Sequence, residues 1–335
     1  MPRQITSLFF SILTACATGG IVAMGGILSF RFIGNHFFPT IQNTANTVLA
    51  EQKEEVSIDT ALLEESDQDP SFVSRFSRVF IYSADDGRDV IESAKNSLPS
   101  TGKAKVTSPA YVVMDMDRNA IVLEKNADKL LPIASVTKLV TAVIAKRLLD
   151  ENDFITVTKE ALATYGNEAR LREGEKLRVS ELLYPLLMVS SNDTSEVLAR
   201  AHGRKDFLKE MNSWASSIGA YRTYFADPSG LSSQNVSTAR DLSIITQWIL
   251  KNEPEIFKLT LEKAKTVRTH TWTNPTHFLN LNSYIGGKNG YTPEADRTSV
   301  ALFELGKQKR LYGVMLLSSA ARDSDILDLL EEAVR

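Results

Sequence analysis

Three short motifs carry side chains able to do acyl-transfer chemistry. The first is Ser135-x-x-Lys138. At the start of a helix, residues three apart share a face, so a hydroxyl and an amine meet there. The run that follows, LVTAVIAKRLL, is apolar on nearly every side, which predicts a buried helix and a desolvated Lys138. Bringing lysine from about 10.4 to a working base near 7–8 takes roughly 4 kcal/mol, supplied by burial and a neighbouring cation. A second copy, Ser100-x-x-Lys103, lies in a Ser-, Pro- and Gly-bearing stretch with no apolar helix behind it and is set aside.

The second motif is Ser190-x-Asn192, between the helix-patterned runs ELLYPLLM and TSEVLARAHG. Small polar residues between helices are capping residues first, and capping logic starts the second helix at Asn192 or Asp193. Ser233-x-Asn235 has the same spacing, so spacing alone does not choose between them. The third motif is Lys288-Asn289-Gly290 in YIGGKNGYT. It reads either as a turn or as a strand edge beside a cleft, with glycine admitting a close backbone approach.

The elements that must position these motifs follow from periodicity. Residues 111–116 and 120–123 are β-rich runs joined by Asp117-Arg118-Asn119, a hairpin signal. Residues 155–250 are mostly helix-patterned, with caps expected at Ser180 and at Thr238-Ala239-Arg240-Asp241. Strand runs at 298–305 and 310–318 are joined by Gly306-Lys307-Gln308-Lys309, and an amphipathic helix is predicted over 323–334. Strands, a helical insert, then strands and a helix imply a layered α/β (α+β) domain over 105–335.

Before that domain the chain changes character. Residues 5–30 carry no charge, enough to span a hydrocarbon core that needs roughly 20 residues, so 1–34 is read as a membrane anchor. A cleaved signal peptide and lipidation at Cys16 are the alternatives. Residues 35–104 read as a stalk, with Glu51, Glu54, Glu55, Asp59, Glu64, Glu65, Asp67 and Asp69 crowded around a single base, Lys53. Composition is ordinary for a globular protein, and a net charge of −3 gives no sign of a nucleic-acid binder. One cysteine excludes a disulfide framework, and four scattered histidines share no metal-ligand spacing, so no metal or organic cofactor is expected.

S-x-x-K, S-x-N and K-x-G in this order resemble the signature of the penicillin-recognising serine enzymes. The chain is most similar to the D-alanyl-D-alanine carboxypeptidases among the low-molecular-weight penicillin-binding proteins. The resemblance covers about residues 105–320 and rests on five blocks: Lys125-Asn126-Ala127-Asp128, ASVTKLVTA, REGEKLRVSELLYPLLMVSSNDTSEVLA, residues 225–231 (FADPSGL) and residues 237–241 (STARD). It implies a penicillin-binding-protein/β-lactamase-like transpeptidase fold, an antiparallel sheet flanked by helices with a helical subdomain carrying the second motif. It implies that Ser135 attacks the carbonyl between the two terminal D-alanines of a peptidoglycan stem peptide. Lys138 would be the general base and Ser190 the proton relay. Asn192, Lys288, Asn289 and Gly290 would bind substrate, and the backbone N–H groups of Ser135 and Tyr291 would form the oxyanion hole. β-Lactam antibiotics would be covalent inhibitors. The same resemblance places the catalytic domain on the extracytoplasmic side of a bacterial cell membrane, held to the bilayer by the N-terminal helix.

The chain departs from the family in places. Asn289 stands where threonine is usual, and Ala295-Asp296 replaces the frequent Ala-Gly pair. The chain ends soon after Lys288, so neither a second β-rich domain nor a C-terminal anchor is expected. Three other functions use the same residues: a DD-endopeptidase, a β-lactamase, and a weakly catalytic muropeptide-binding protein. A β-lactamase needs a deacylating glutamate, for which the sequence offers Glu168 or Glu173.

Overall fold

The computed structural model describes residues 106–335; the apolar run 5–30 and the acidic stretch 35–104 lie outside the described residues. Among the described residues no helix is long and apolar enough to cross a membrane.

Alternating apolar residues build the central sheet. In chain order the first elements are β1 (Ala110–Asp115), β2 (Ala120–Lys125), β3 (Leu131–Pro132), a 3-10 turn at Ala134–Val136 and α1 (Thr137–Leu148). Then come β4 (Phe154–Thr156), α2 (Lys159–Leu162), β5 (Lys176–Arg178), α3 (Val179–Met188), α4 (Asn192–His202) and α5 (Arg204–Ser217). After β6 (Val236–Ser237), α6 (Ala239–Asn252) and α7 (Glu255–Leu259) lie β7 (Ala264–Val267) and β8 (His270–Thr273). The chain closes with β9 (Tyr284–Thr292), β10 (Asp296–Leu305), β11 (Arg310–Ser319) and α8 (Arg322–Ala333). Five strands form one antiparallel sheet in the order β2-β1-β11-β10-β9, which leaves β9 and its Lys288-Asn289-Gly290 on an edge.

Period two sends alternate side chains to opposite faces of this sheet. Val112, Met114, Val300, Leu302, Met315 and Leu317 join the core made with the helices α1 and α3 to α6. Val113, Ala301, Phe303, Val314 and Leu316 face the other way, onto Ile326, Leu327, Leu329 and Leu330 of α8. Each fully buried leucine or isoleucine there contributes about 1.5–3 kcal/mol. The expected layered domain is therefore present, with helices on both faces of the sheet.

Of the helix starts that capping chemistry predicts, those of α4 and α6 are found and that of α3 is not. Thr238 caps α6 by accepting from Asp241 N at 3.0 Å, and α1 is buried from Thr137 through Ala145. Ser180 does not cap α3. That helix begins at Val179 after an extended Arg178, whose N–H donates to Glu181 Oε2 at 2.7 Å. The glutamate reaching back replaces the hydroxyl as the terminal partner. α4 starts at Asn192, and Ser191 is its cap, accepting from Thr194 N at 3.1 Å.

The point where the chain enters the domain is tied to its last helix. Buried Asp325 accepts from Thr107 N and Ser108 N at 3.0 Å each, and from the hydroxyls of Thr107 and Ser319 at 2.7 Å. Asp325→Ala strands these donors and is expected to cost about 3 kcal/mol, read as a lower urea midpoint at unchanged slope.

Candidate active site

Lys138 lies in the first turn of α1 and is fully buried. Its Nζ contacts Ser135 Oγ at 2.9 Å, Asn192 Oδ1 at 2.8 Å and the Ser229 carbonyl at 2.6 Å. Asn192 Oδ1 and Ser229 O are acceptors only, whereas a serine hydroxyl can also donate. A neutral amine has two N–H bonds and one lone pair. Giving both N–H bonds to the two carbonyls leaves the lone pair for Ser135 Oγ–H. The partner set therefore orients Lys138 as a base toward Ser135.

Burial brings the Lys138 amine from 10.5 down to about 7, against the pull of Asp227, Glu168 and Asp193, whose charges favour the ammonium. The sequence alone predicts a lowering shared between burial and a second cation. In the structure desolvation leads it, and the repulsion between the two lysines is felt at Lys288, which burial and then Lys138 hold well below its ordinary value.

Ser135 sits in the 3-10 turn just before α1, and two other segments clamp that turn. Residues 225–231 pass beneath it. The Asp227 carboxylate accepts from Ser229 N, Ser229 Oγ, Gly230 N and Ser232 N, all at 2.7 Å. Gly230 has φ +85°, and a Cβ there would stand 1.9 Å from the Ala134 carbonyl oxygen, so no larger residue fits. β9 closes the other side. A Cβ on Gly290 would lie 2.7 Å from Ser135 N and 2.5 Å from Thr298 Oγ1, while Thr298 itself donates to the Ile133 carbonyl at 2.9 Å. The Ser135 amide thus lies against Gly290, one residue from the Tyr291 amide. The Tyr291 ring is exposed, with the Arg297 guanidinium 5.7 Å from its centre.

The second and third motifs meet each other. Lys288 Nζ donates to Ser190 Oγ at 2.9 Å and to the Asn289 carbonyl at 2.7 Å. Ser299 on β10 donates to Asn289 Oδ1 at 2.8 Å, which leaves the Asn289 N–H₂ as that side chain's free donor. Asn192 Nδ2 is held by the Tyr165 carbonyl at 2.9 Å. Ala134 and Ser190 have φ of 46° and 61°, left-handed values that cost non-glycine residues of order 1–3 kcal/mol each. Both flank the reacting groups.

The structure therefore brings Ser135, Lys138, Asn192, Ser190, Lys288, Asn289 and Gly290 into one connected site. Sequence reading named no site residue in 225–231, yet Ser229 supplies one of the three partners of Lys138 and Asp227 fixes its carbonyl. An Asp-Pro-Ser-Gly turn was the available signal. Asn235, of the duplicate Ser-x-Asn, is a buried brace: its Nδ2 donates to Thr137 Oγ1 at 3.1 Å and to the Asp227 carbonyl at 2.8 Å. Glu168 stands beside Asn192, whereas Glu173 is exposed on the turn before β5.

Residues 96–319 match the family model of peptidase family S11, described as D-alanyl-D-alanine carboxypeptidase. The chain belongs to this family of serine DD-peptidases. A D-alanyl-D-alanine endopeptidase of Haemophilus influenzae is 32% identical over 238 residues, covering 67% of this chain and 80% of the relative. The D-alanyl-D-alanine carboxypeptidase DacF of Bacillus subtilis is 27% identical over 255 residues, covering 72% and 65%. Among solved structures, a point mutant of the Streptomyces K15 DD-transpeptidase superposes with a TM-score of 0.62 at 28% identity, covering 69% of this chain and all of that one. The fold is thus that of the penicillin-binding-protein transpeptidase class. Relatives in this family divide between carboxypeptidases and endopeptidases.

The state of Lys138 sets a pH dependence. Its folded value is lowered, so the neutral base is present above about 7 and is lost as pH falls through that value. The acylation rate with a chromogenic β-lactam is expected to fall about tenfold per pH unit below 7.

Proposed function

We propose that the protein is a serine-type D-alanyl-D-alanine carboxypeptidase that trims the terminal D-alanine from peptidoglycan stem peptides. The observation that carries this reading is the Lys138 amine, buried, lowered to about 7 and 2.9 Å from Ser135 Oγ. In this reading Ser135 Oγ attacks the penultimate D-alanine carbonyl while its proton passes to Lys138. Ser190, bonded to Lys288, passes a proton on to the departing D-alanine amine. The Ser135 and Tyr291 amides face the oxyanion. Water then breaks the acyl-enzyme ester, releasing the shortened peptide and restoring the serine. Lys288 and the Asn289 amide receive the free carboxylate of the terminal D-alanine. The apolar run 5–30 anchors the enzyme to the bacterial cell membrane, with the acidic stretch as spacer and the catalytic domain on the extracytoplasmic side.

A DD-endopeptidase activity is the second reading. It is favoured by the 32% identical relative named an endopeptidase, and it needs no change in the reacting groups.

A fluorescent penicillin is expected to label the protein covalently. Ser135→Ala abolishes the label and Ser100→Ala leaves it intact, as seen on a denaturing gel. Label surviving Ser135→Ala places the nucleophile elsewhere. A second measurement compares D-alanine release from a D-Ala-D-Ala peptide with cleavage of a cross-linked muropeptide dimer. Asn289→Thr, which shortens the donor and suits a strand better, is expected to raise the first rate about tenfold and change the second less. Equal effects on both rates, or none, mean that the amide braced by Ser299 already serves as the carboxylate donor.

A further inference from the structure

The loop between α2 and β5 walls the site without belonging to any of the three motifs. It is held at several points. The Tyr165 carbonyl accepts from Asn192 Nδ2 at 2.9 Å, and Trp272 Nε1 on β8 donates to the Ala169 carbonyl at 3.0 Å. His270, on the same strand, meets the Glu175 carboxylate at 3.1 Å. Several side chains on this fixed loop face solvent, and two of them, Tyr165 and Glu168, belong to the part that abuts Asn192. The Tyr165 ring is 84% exposed although its backbone is anchored at the site. Glu168 is exposed as well. A Cβ on Gly166 would stand 2.7 Å from Glu168 Oε1 and 3.1 Å from Asn192 Nδ2, so the carboxylate and the Asn192 amide flank one point. Among the described residues the Glu168 carboxylate makes no hydrogen bond or ion pair.

An unpaired carboxylate and a bare aromatic ring three residues apart are what an ammonium group binds: charge-assisted hydrogen bonds from one, a cation–π contact from the other. Glu168 is not one of the three partners of Lys138, which are Ser135, Asn192 and Ser229. Glu168 thus touches none of the reacting atoms and reaches Lys138 only through its charge, which favours the ammonium. Charge also sets direction. Lys288 and Asn289 on β9 draw the substrate's terminal carboxylate, and Glu168, across Asn192 on another element, repels it. The loop therefore faces the acyl side of the scissile bond. We propose that Tyr165 and Glu168 form a subsite for an ammonium-bearing side chain on the acyl side of the substrate. This rests on the DD-carboxypeptidase reading, and it makes the loop a selector of peptides whose side-chain amine is free.

The test compares two peptides with the purified full-length enzyme at about pH 8.5, where Lys138 is neutral with or without the Glu168 charge: Nα-acetyl-L-Lys-D-Ala-D-Ala, with a free ammonium, and the Nα,Nε-diacetyl form, with none. Wild type is expected to favour the first by about tenfold in kcat/KM, mainly through KM. Glu168→Gln removes the preference by lowering the free-amine peptide about tenfold, with the blocked peptide within twofold of wild type. Tyr165→Ala lowers the same ratio about threefold. The rate of labelling by a penicillin without a cationic side chain stays within twofold in both variants, which a merely structural role would not allow. Equal loss on both peptides, slowed labelling, or no preference in the wild type overturns the subsite. Wild type that labels with penicillin but releases D-alanine from neither peptide overturns the carboxypeptidase reading, and the subsite with it.

Discussion

A lysine amine has been placed where no water reaches it, and much of the domain is arranged around that fact. An ion of this size loses several kcal/mol of solvation on burial unless its donors are met. Lys138 meets three partners, and each comes from a different stretch of chain: the turn before α1, the start of α4, and the loop before β6. Removing any one of these stretches leaves an N–H or the lone pair of the buried amine unmatched. The partners are also unequal, two carbonyls and one hydroxyl, and that inequality turns a structural lysine into a directed base. Burial then lowers its affinity for a proton to the range where it can accept one from serine at neutral pH.

Holding this arrangement requires close approach of backbone to backbone. Gly230 and Gly290 press on the Ser135 turn from two sides, and both lack room for a methyl group. Ala134 and Ser190 adopt left-handed conformations that their side chains disfavour, sustained by the surrounding contacts. The supporting groups are polar and buried: Asp227 gathers four donors in its loop, and Asn235 ties that loop to α1. Such fully satisfied networks specify one conformation where apolar packing alone would admit several.

The second lysine gives the site its other electrostatic feature. Lys288 is buried on the edge strand, where burial and the nearby Lys138 disfavour its charge. The fold therefore separates a proton-accepting corner at Lys138 from a second buried amine at Lys288, to which Ser190 is bonded. Around these two amines stand Asn289, braced by Ser299, and the loop bearing Glu168, which abuts Asn192.

Much of this was legible from residues alone. The hairpin at 110–125, the buried helix after Ser135, the two C-terminal strands and the last helix all follow from hydrophobic periods of two and 3.6, which are local properties of a sequence. The three motifs stood out because they pair nucleophile, amine and amide at helix and strand starts. Other things were not legible. Lys138 meets Asn192 across 54 residues and Ser229 across 91, and Lys288 meets Ser190 across 98. The Ser229 partner is a backbone carbonyl, which every residue possesses and no side-chain pattern reveals. Nor could spacing separate the Ser-x-Asn at 190–192 from its copy at 233–235; only the approach of α4 to α1 did so. The sequence by itself determined which segments are helix and strand and which side chains are capable of chemistry. The tertiary structure decided which of them share a buried lysine, because burial and the matching of its three partners arise only when distant segments close around one point.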